Sequence, residues 1–293
     1  MNNKIHTTFG WLNLSALILA FLLGGYSIKA QQILSENRSE SGQSNEGSSF
    51  EGKKKPGNTL SKSSSGRYDW QGFYLGGHLG YGWGKGDTKL TPLPDAATFL
   101  SLAPTTVKLR PRGAGGGFQG GYNWQYGKLV IGDETDFNWS SMKRSVRVSP
   151  IIQNNGTPWP GTPPGNDIVT AQDAEWFGTL RGRIGVAFNR ILVYGTTGMA
   201  YGRVVNTANT DFRPAGSIQY PAALKRTSTG WTAGGGIEIG VRKYFSFKSE
   251  YLYYDLGNAS VTANPTPVNP PYRLNYTWGA KAHTWNIGFN FHF

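Results

Sequence analysis

Seven charged residues share the inward phase of runs that alternate apolar with small or polar residues. Glu134 and Asp136 lie in LVIGDETDFNWS, Arg181 and Arg183 in WFGTLRGRIGVAF, Glu238 in GWTAGGGIEIGV, and Lys248 and Glu250 in YFSFKSEYLYYDLG. Residues two apart on a strand share a face, so each of the three pairs points one way. Such carboxylates do acid–base chemistry when a nucleophile and an orienting group stand within hydrogen-bond reach. Set against arginine and lysine they form ion pairs instead. No outward or loop-borne His-Ser-Glu set of the kind a lipid-modifying enzyme needs is visible, so catalysis is not expected. The chain has no cysteine, which excludes a disulfide framework and a Cys-based metal site.

The elements that carry these charges are strands. In GFYLGGHLGYGWG, Phe73, Leu75, Leu79, Tyr81 and Trp83 alternate with Tyr74, Gly76, His78, Gly80 and Gly82. In GGFQGGYNWQYG, Phe118, Tyr122 and Trp124 oppose Gln119, Gly121, Asn123 and Gln125. ILVYGTTGMAYGRV carries the weakest phase, and the chain ends on HTWNIGFNFHF, where Trp285, Ile287, Phe289, Phe291 and Phe293 take every second position. These runs predict eight strands. With 41 glycines and 14% aromatics, the composition suits curved β-structure better than a helical bundle.

Glycine decides which face is inside. A solvent-facing set would rarely be so rich in it, because it weakens strands, whereas a narrow barrel interior needs small residues between its polar side chains. The aromatic face therefore looks outward, into lipid. A mean hydropathy of −0.41 is compatible with this, since only one face of each strand of about ten residues meets the bilayer.

Connections alternate in length. Tight turns fall at Tyr126-Gly127-Lys128, Asn189-Arg190 and Arg242-Lys243-Tyr244, and long loops are expected over residues 85–112, 140–174, 203–229 and 257–280. With an even strand count this predicts an all-β, eight-stranded antiparallel transmembrane β-barrel of outer-membrane type, with extracellular loops and both termini periplasmic. Strand eight must close on strand one, which lets the chain end on an apolar residue.

Upstream, Lys4, the apolar run from Leu12 to Tyr26 and Ala30 describe a secretory signal peptide over 1–30, cleaved between Ala30 and Gln31. Residues 31–66, with ten Ser, five Gly and one aromatic, read as a flexible segment, and 67–293 as the barrel domain.

Eight strands leave room only for side chains, so the seven interior charges are expected to form a packed, mutually paired network rather than line a pore. With Val241 opposite Phe245, Glu238 falls opposite Lys248 as a cross-strand pair. The four long loops carry 13 Lys or Arg against 5 Asp or Glu. Lys89, Lys108, Arg110, Arg112, Arg213, Lys225 and Arg226 form the expected basic patch, which faces the anionic lipopolysaccharide side. No nucleic-acid partner is expected.

WQGFYLGGHLGYGWG, DFNWS, WFGTLRGRIGVAFNRILVYGTTGMAYG, GWTAGGGIEIG, KSEYLYYDLG and NIGFNFHF together resemble the small outer-membrane β-barrel porin family of alphaproteobacteria, eight-stranded barrels of OmpA-like and Opa-like type. That family includes major surface antigens and haem-binding barrels. The resemblance implies that the terminal aromatics, Phe289, Phe291 and Phe293, belong to a signal read by the barrel-assembly machinery. It does not imply the peptidoglycan-anchoring role of larger OmpA-type proteins. Asp133 departs from it, standing at an outward phase where the family has an aliphatic residue, and is expected near the periplasmic edge. The reading is a structural, surface-exposed outer-membrane protein. A haem receptor or adhesin that meets a host or surface ligand at its loops is the runner-up, and a small-solute porin comes third. A haem would need an axial His, Met or Tyr, for which the loop residues Tyr220 and Tyr272 are candidates. His78 and His292, on the order of 15–20 Å apart at ~3.3 Å per residue, do not share a metal, and His283 stands near the start of the last strand.

Overall fold

The computed structural model describes residues 67–93, 106–151, 157, 166–212, 218–266 and 273–293. The signal segment with its Ala30/Gln31 boundary, residues 31–66, Arg213 and Tyr272 lie outside the described residues. In chain order the strands are β1 (Gly72–Lys85), β2 (Thr88–Pro92), β3 (Thr106–Val107), β4 (Arg112–Tyr126), β5 (Leu129–Val148) and β6 (Asp167–Phe188). They continue with β7 (Ile191–Phe212), β8 (Ile218–Gln219), β9 (Ala222–Arg242), β10 (Phe245–Ala263) and β11 (Leu274–His292).

Eight of them form a closed antiparallel ring in the order β1-β4-β5-β6-β7-β9-β10-β11, and β11 returns to β1 from Tyr74↔His292 to Lys85↔Lys281. The last residue is held in this seam by a bond from the Phe293 amide to the Phe73 carbonyl, 2.9 Å. Over the band where β11 meets β1, closure leaves no unpaired edge among the described residues, the condition for a sheet surrounded by hydrocarbon. At one end of the ring, two-residue turns at Gly127-Lys128, Asn189-Arg190 and Lys243-Tyr244 join neighbours. Gly127 and Asn189 take positive φ there, 65° and 52°, the left-handed conformation that tight hairpins favour.

The alternation fixes the two faces near the turn end. Phe118 is 66% exposed and Ile287 63%, and both look out. Toward the opposite end the outward face carries an aromatic girdle, with Trp83 stacked on His283 at 5.7 Å, Tyr253 at 5.1 Å from His283, and Trp231 at 5.2 Å from Tyr253. Phe137 and Trp176 continue it on the far side, 5.5 Å apart.

Beyond the girdle the structure departs from the sequence reading. Much of what the sequence assigns to loops at 85–112, 140–174, 203–229 and 257–280 is strand, and the strands reach 19 to 22 residues in β5, β6, β7, β9, β10 and β11. The cause is an inversion of environment. Past the girdle both faces leave lipid, so the inward face becomes the apolar one, and Leu90, Ile168, Phe212, Leu274, Tyr276 and Trp278 pack into a core inside the extension. Register shifts in the pairing of β5 with β6, between Trp139 and Met142, and of β10 with β11, between Asp255 and Asn258, mark this level. Bulges of this kind re-aim side chains, and they blur a period-2 pattern in the sequence.

Candidate functional site: the filled lumen and the outer rim

The seven charges meet in one layer across the lumen. All have side chains 0 to 2% exposed. Glu134 of β5 is the hub: Arg181 of β6 pairs with it, Lys248 of β10 reaches it at 2.7 Å, Arg183 stands at 3.4 Å, and the Tyr74 hydroxyl donates to it at 2.8 Å. Arg181 also pairs with Asp136 at 3.0 Å and Glu250 at 3.1 Å. Glu238 accepts from the Asn290 amide at 2.7 Å and from the Ser246 hydroxyl, and pairs with Arg183 at 3.3 Å. Glu250 accepts from the Tyr194 hydroxyl at 2.8 Å. Buried charges are tolerated when their lone pairs and protons are met in this way, and removing one partner leaves the others uncompensated.

Strand opposition and side-chain pairing differ at one expected pair. Lys248 does stand opposite Glu238 across β10 and β9. Its ammonium, however, leans to Glu134 and to Glu250 at 3.4 Å, and makes no ion pair with Glu238. A lysine stem spans the narrow lumen, so the acid on a distant strand wins over the one on the neighbouring strand.

Glycine makes the layer possible. A Cβ on Gly121 would meet the Tyr74 hydroxyl at 2.4 Å, and one on Gly236 the Tyr194 hydroxyl at 2.7 Å. These two rings hold the Arg183 guanidinium between them, at 4.6 and 5.1 Å from the ring centroids, a cation–π arrangement. Above the layer, His78 bonds Asn138, and the nearby void lined by Gly80, Gly82, Met142 and Phe177 amounts to about 10 Å³, the threshold for a single water.

Both ends of the lumen are filled as well. At the turn end, residues ahead of β1 enter the mouth. The Tyr68 amide bonds the Asn189 carbonyl at 3.0 Å, the Trp70 amide bonds the Gln125 side chain at 2.8 Å, and Trp70 is fully buried. Tyr68 and Trp70 stand 4.5 Å apart and each meets the His292 ring, at 5.5 and 5.8 Å. The sequence reading missed this stopper: Tyr68 and Trp70 alternate with Asp69 and Gln71 on the phase that Tyr74 continues, and alternation alone does not distinguish a plug from the start of a strand. At the other end lies the apolar core of the extension, where burial raises the Tyr276 phenol above its usual pKa despite its hydrogen bond with Thr210.

Tyr220, a candidate haem ligand, is fully buried in that core beside Phe212, with ring centroids 5.9 Å apart. His283 is engaged by Tyr251 at 2.6 Å on the outward girdle. Among the described residues no group of His, Asp and Glu is placed to hold a metal.

The expected basic patch divides. Arg112 of β4, with Lys108 and Arg110 before it, lies beside β1 and the residues that follow it, and Lys89 of β2 lies beside β11. Lys225 and Arg226 lie on β9 against β7, with at least one strand between the groups either way round the ring. Lys225 pairs with Glu175 at 2.9 Å and Arg110 with Asp87 at 2.6 Å. The structure adds Lys85, Lys143 and Lys281 to the first group; the outward phase of the terminal strand, continued back from Trp285, already points Lys281 there. Phe289, Phe291 and Phe293 form an outward aromatic row on the seam strand. Asp133 is the third outward residue from the turn on β5, beside Tyr122 and Gly182, and so lies deeper in the lipid-facing band than its expected place at the edge.

Comparison with known proteins bears on the same residues. A family model for the outer membrane protein beta-barrel domain matches residues 59–293. A 31 kDa outer-membrane immunogenic protein of Brucella melitensis biotype 1 is 31% identical over 231 residues, covering 77% of this chain and 85% of that protein. A 22 kDa outer membrane protein of Rhizobium leguminosarum bv. viciae is 29% identical over 190 residues, 64% of each. Among solved structures, the outer membrane protein OprG from Pseudomonas aeruginosa overlays with a TM-score of 0.44 at 12% identity, covering 77% of this chain and 98% of that one.

Proposed function

The chain belongs to the outer membrane protein beta-barrel domain family and is an integral barrel of the outer membrane; from that premise we propose that it is a closed, non-catalytic scaffold whose extended outer half is the part displayed to the outside. The observation that supports this most is the filling of the lumen at three heights: Tyr68 and Trp70 at the turn end, the seven-charge layer between, and the apolar core beyond the girdle. An aqueous pathway would have to break all three, and an eight-stranded ring has no spare width. The same burial argues against catalysis, since the acids and bases of the layer are shielded from any substrate. The extension carries its own apolar core, which makes it a rigid surface rather than a set of independent loops. The outward row Phe289, Phe291 and Phe293 on the closing strand is the segment we assign to recognition by the barrel-assembly machinery.

Liposome swelling tests the closed lumen. Vesicles carrying the folded protein are expected to admit small sugars no faster than protein-free vesicles. Swelling that scales with the amount of protein and falls with sugar size would replace the scaffold by a solute channel.

A further inference from the structure

Arg112 of β4 and Lys143 of β5 are direct cross-strand partners, and both are exposed. Residues directly opposite share a face, and like charges in that position repel. On its other side Arg112 is opposite Trp83, so both cations stand on the outward face at the girdle. A second like-charged pair lies beside it, Lys85 of β1 directly opposite Lys281 of β11. That second pair is relieved locally: Lys281 holds Asp255 at 3.0 Å, and Lys85 has Asp87 at 3.7 Å. Asp173 is opposite Lys143 across β5 and β6, yet among the described residues neither Arg112 nor Lys143 forms an ion pair with an acid.

We propose that Arg112 and Lys143, with Trp83 beside them and Lys85 above, bind the phosphate of an outer-leaflet lipid headgroup. Depth selects the ligand class. Aromatic girdles sit at the headgroup level of a bilayer, and a cation pair at that height on the lipid-facing wall meets lipid phosphates before any soluble anion. Arginine offers a planar fork that matches phosphate oxygens in pairs, lysine adds a point charge, and the anion offsets the repulsion across β4 and β5. The inference rests on the membrane placement and not on the closed lumen, so a conducting barrel would leave it standing.

The test uses the folded full chain in phosphatidylcholine vesicles containing diphosphoryl lipid A or the same lipid with its phosphates removed, with bound lipid read by native mass spectrometry. Retention of the phosphorylated form over the dephosphorylated one is expected. At about 1 kcal/mol per basic residue near a charged surface, Arg112→Gln with Lys143→Gln should weaken it about 30-fold, and Arg112→Gln alone about 5-fold. Lys143→Arg should retain binding, and Lys128→Gln with Lys243→Gln, an equal charge loss at the turn end, should not change it. Heat-modifiable migration on gels checks folding of each variant. Unchanged binding in the Arg112/Lys143 variants, an equal loss in the turn-end variant, or displacement of the lipid by inorganic phosphate would overturn the proposal.

Discussion

Lys248 provides the sharpest test of how the lumen is held. Strand register sets it opposite Glu238, whereas its ammonium lies 2.7 Å from Glu134, 3.4 Å from Glu250 and 3.2 Å from the Gln119 side-chain oxygen. Lys248→Met keeps the stem and removes the charge, leaving Arg181 and Arg183 to face Glu134, Asp136, Glu238 and Glu250. Uncompensated buried charge of this kind costs about 3–5 kcal/mol. Adding Glu134→Gln removes the carboxylate that lost its partner, so the double variant should be more stable than the sum of the singles, by about 2 kcal/mol within the range seen for contacting residues. Adding Glu238→Gln instead breaks the separate contacts of Glu238 with Arg183, Asn290, Ser246 and His292. Its coupling to Lys248 should be smaller than that of Glu134 by at least about 1 kcal/mol. Urea unfolding in lipid bilayers, followed by tryptophan fluorescence, measures both cycles. Equal couplings, or a larger one with Glu238, would refute the cross-lumen pairing and restore simple strand opposition.

Two further outcomes follow from the outward face and the outer core. Asp133→Leu places an aliphatic residue in the lipid-facing row of β5 and should stabilise the barrel by about 1 kcal/mol in the same urea assay; destabilisation would mean that the carboxylate has a partner on the wall. Ile168→Ala hollows the fully buried outer core at a cost of about 2–5 kcal/mol. Limited proteolysis should then cut the extension while the membrane band keeps its heat-modifiable migration, and loss of both together would show that the extension is not a separate layer.

The membrane band was legible in the sequence because one rule governs it from end to end. Trp285, Ile287, Phe289 and Phe291 keep a single phase against Thr284, Asn286, Gly288 and Asn290, and the tight turns at Asn189-Arg190 and Lys243-Tyr244 fix how neighbours pair. The outer half was not legible, because the rule reverses there: Leu274, Tyr276 and Trp278 are apolar and inward on the same strand whose lower apolar residues point out. Tyr68 and Trp70 alternate with Asp69 and Gln71 like the start of a strand, so only the closed ring shows that they have a mouth to fill. The reach of Lys248 to Glu134 was hidden for another reason. Register along adjacent strands is local, whereas a long side chain in a narrow lumen selects among acids on every wall.

Planar-bilayer recording of the purified folded chain tests the central claim of a closed barrel most directly. With Trp70 sealing the turn end, the charge layer intact and the outer core packed, insertions should give no sustained conductance, and at most brief, rare openings. Stable open channels in most insertions, abolished when Arg183 or Glu238 is replaced by an uncharged residue, would contradict the account and show that the ion-pair layer lines a solute path.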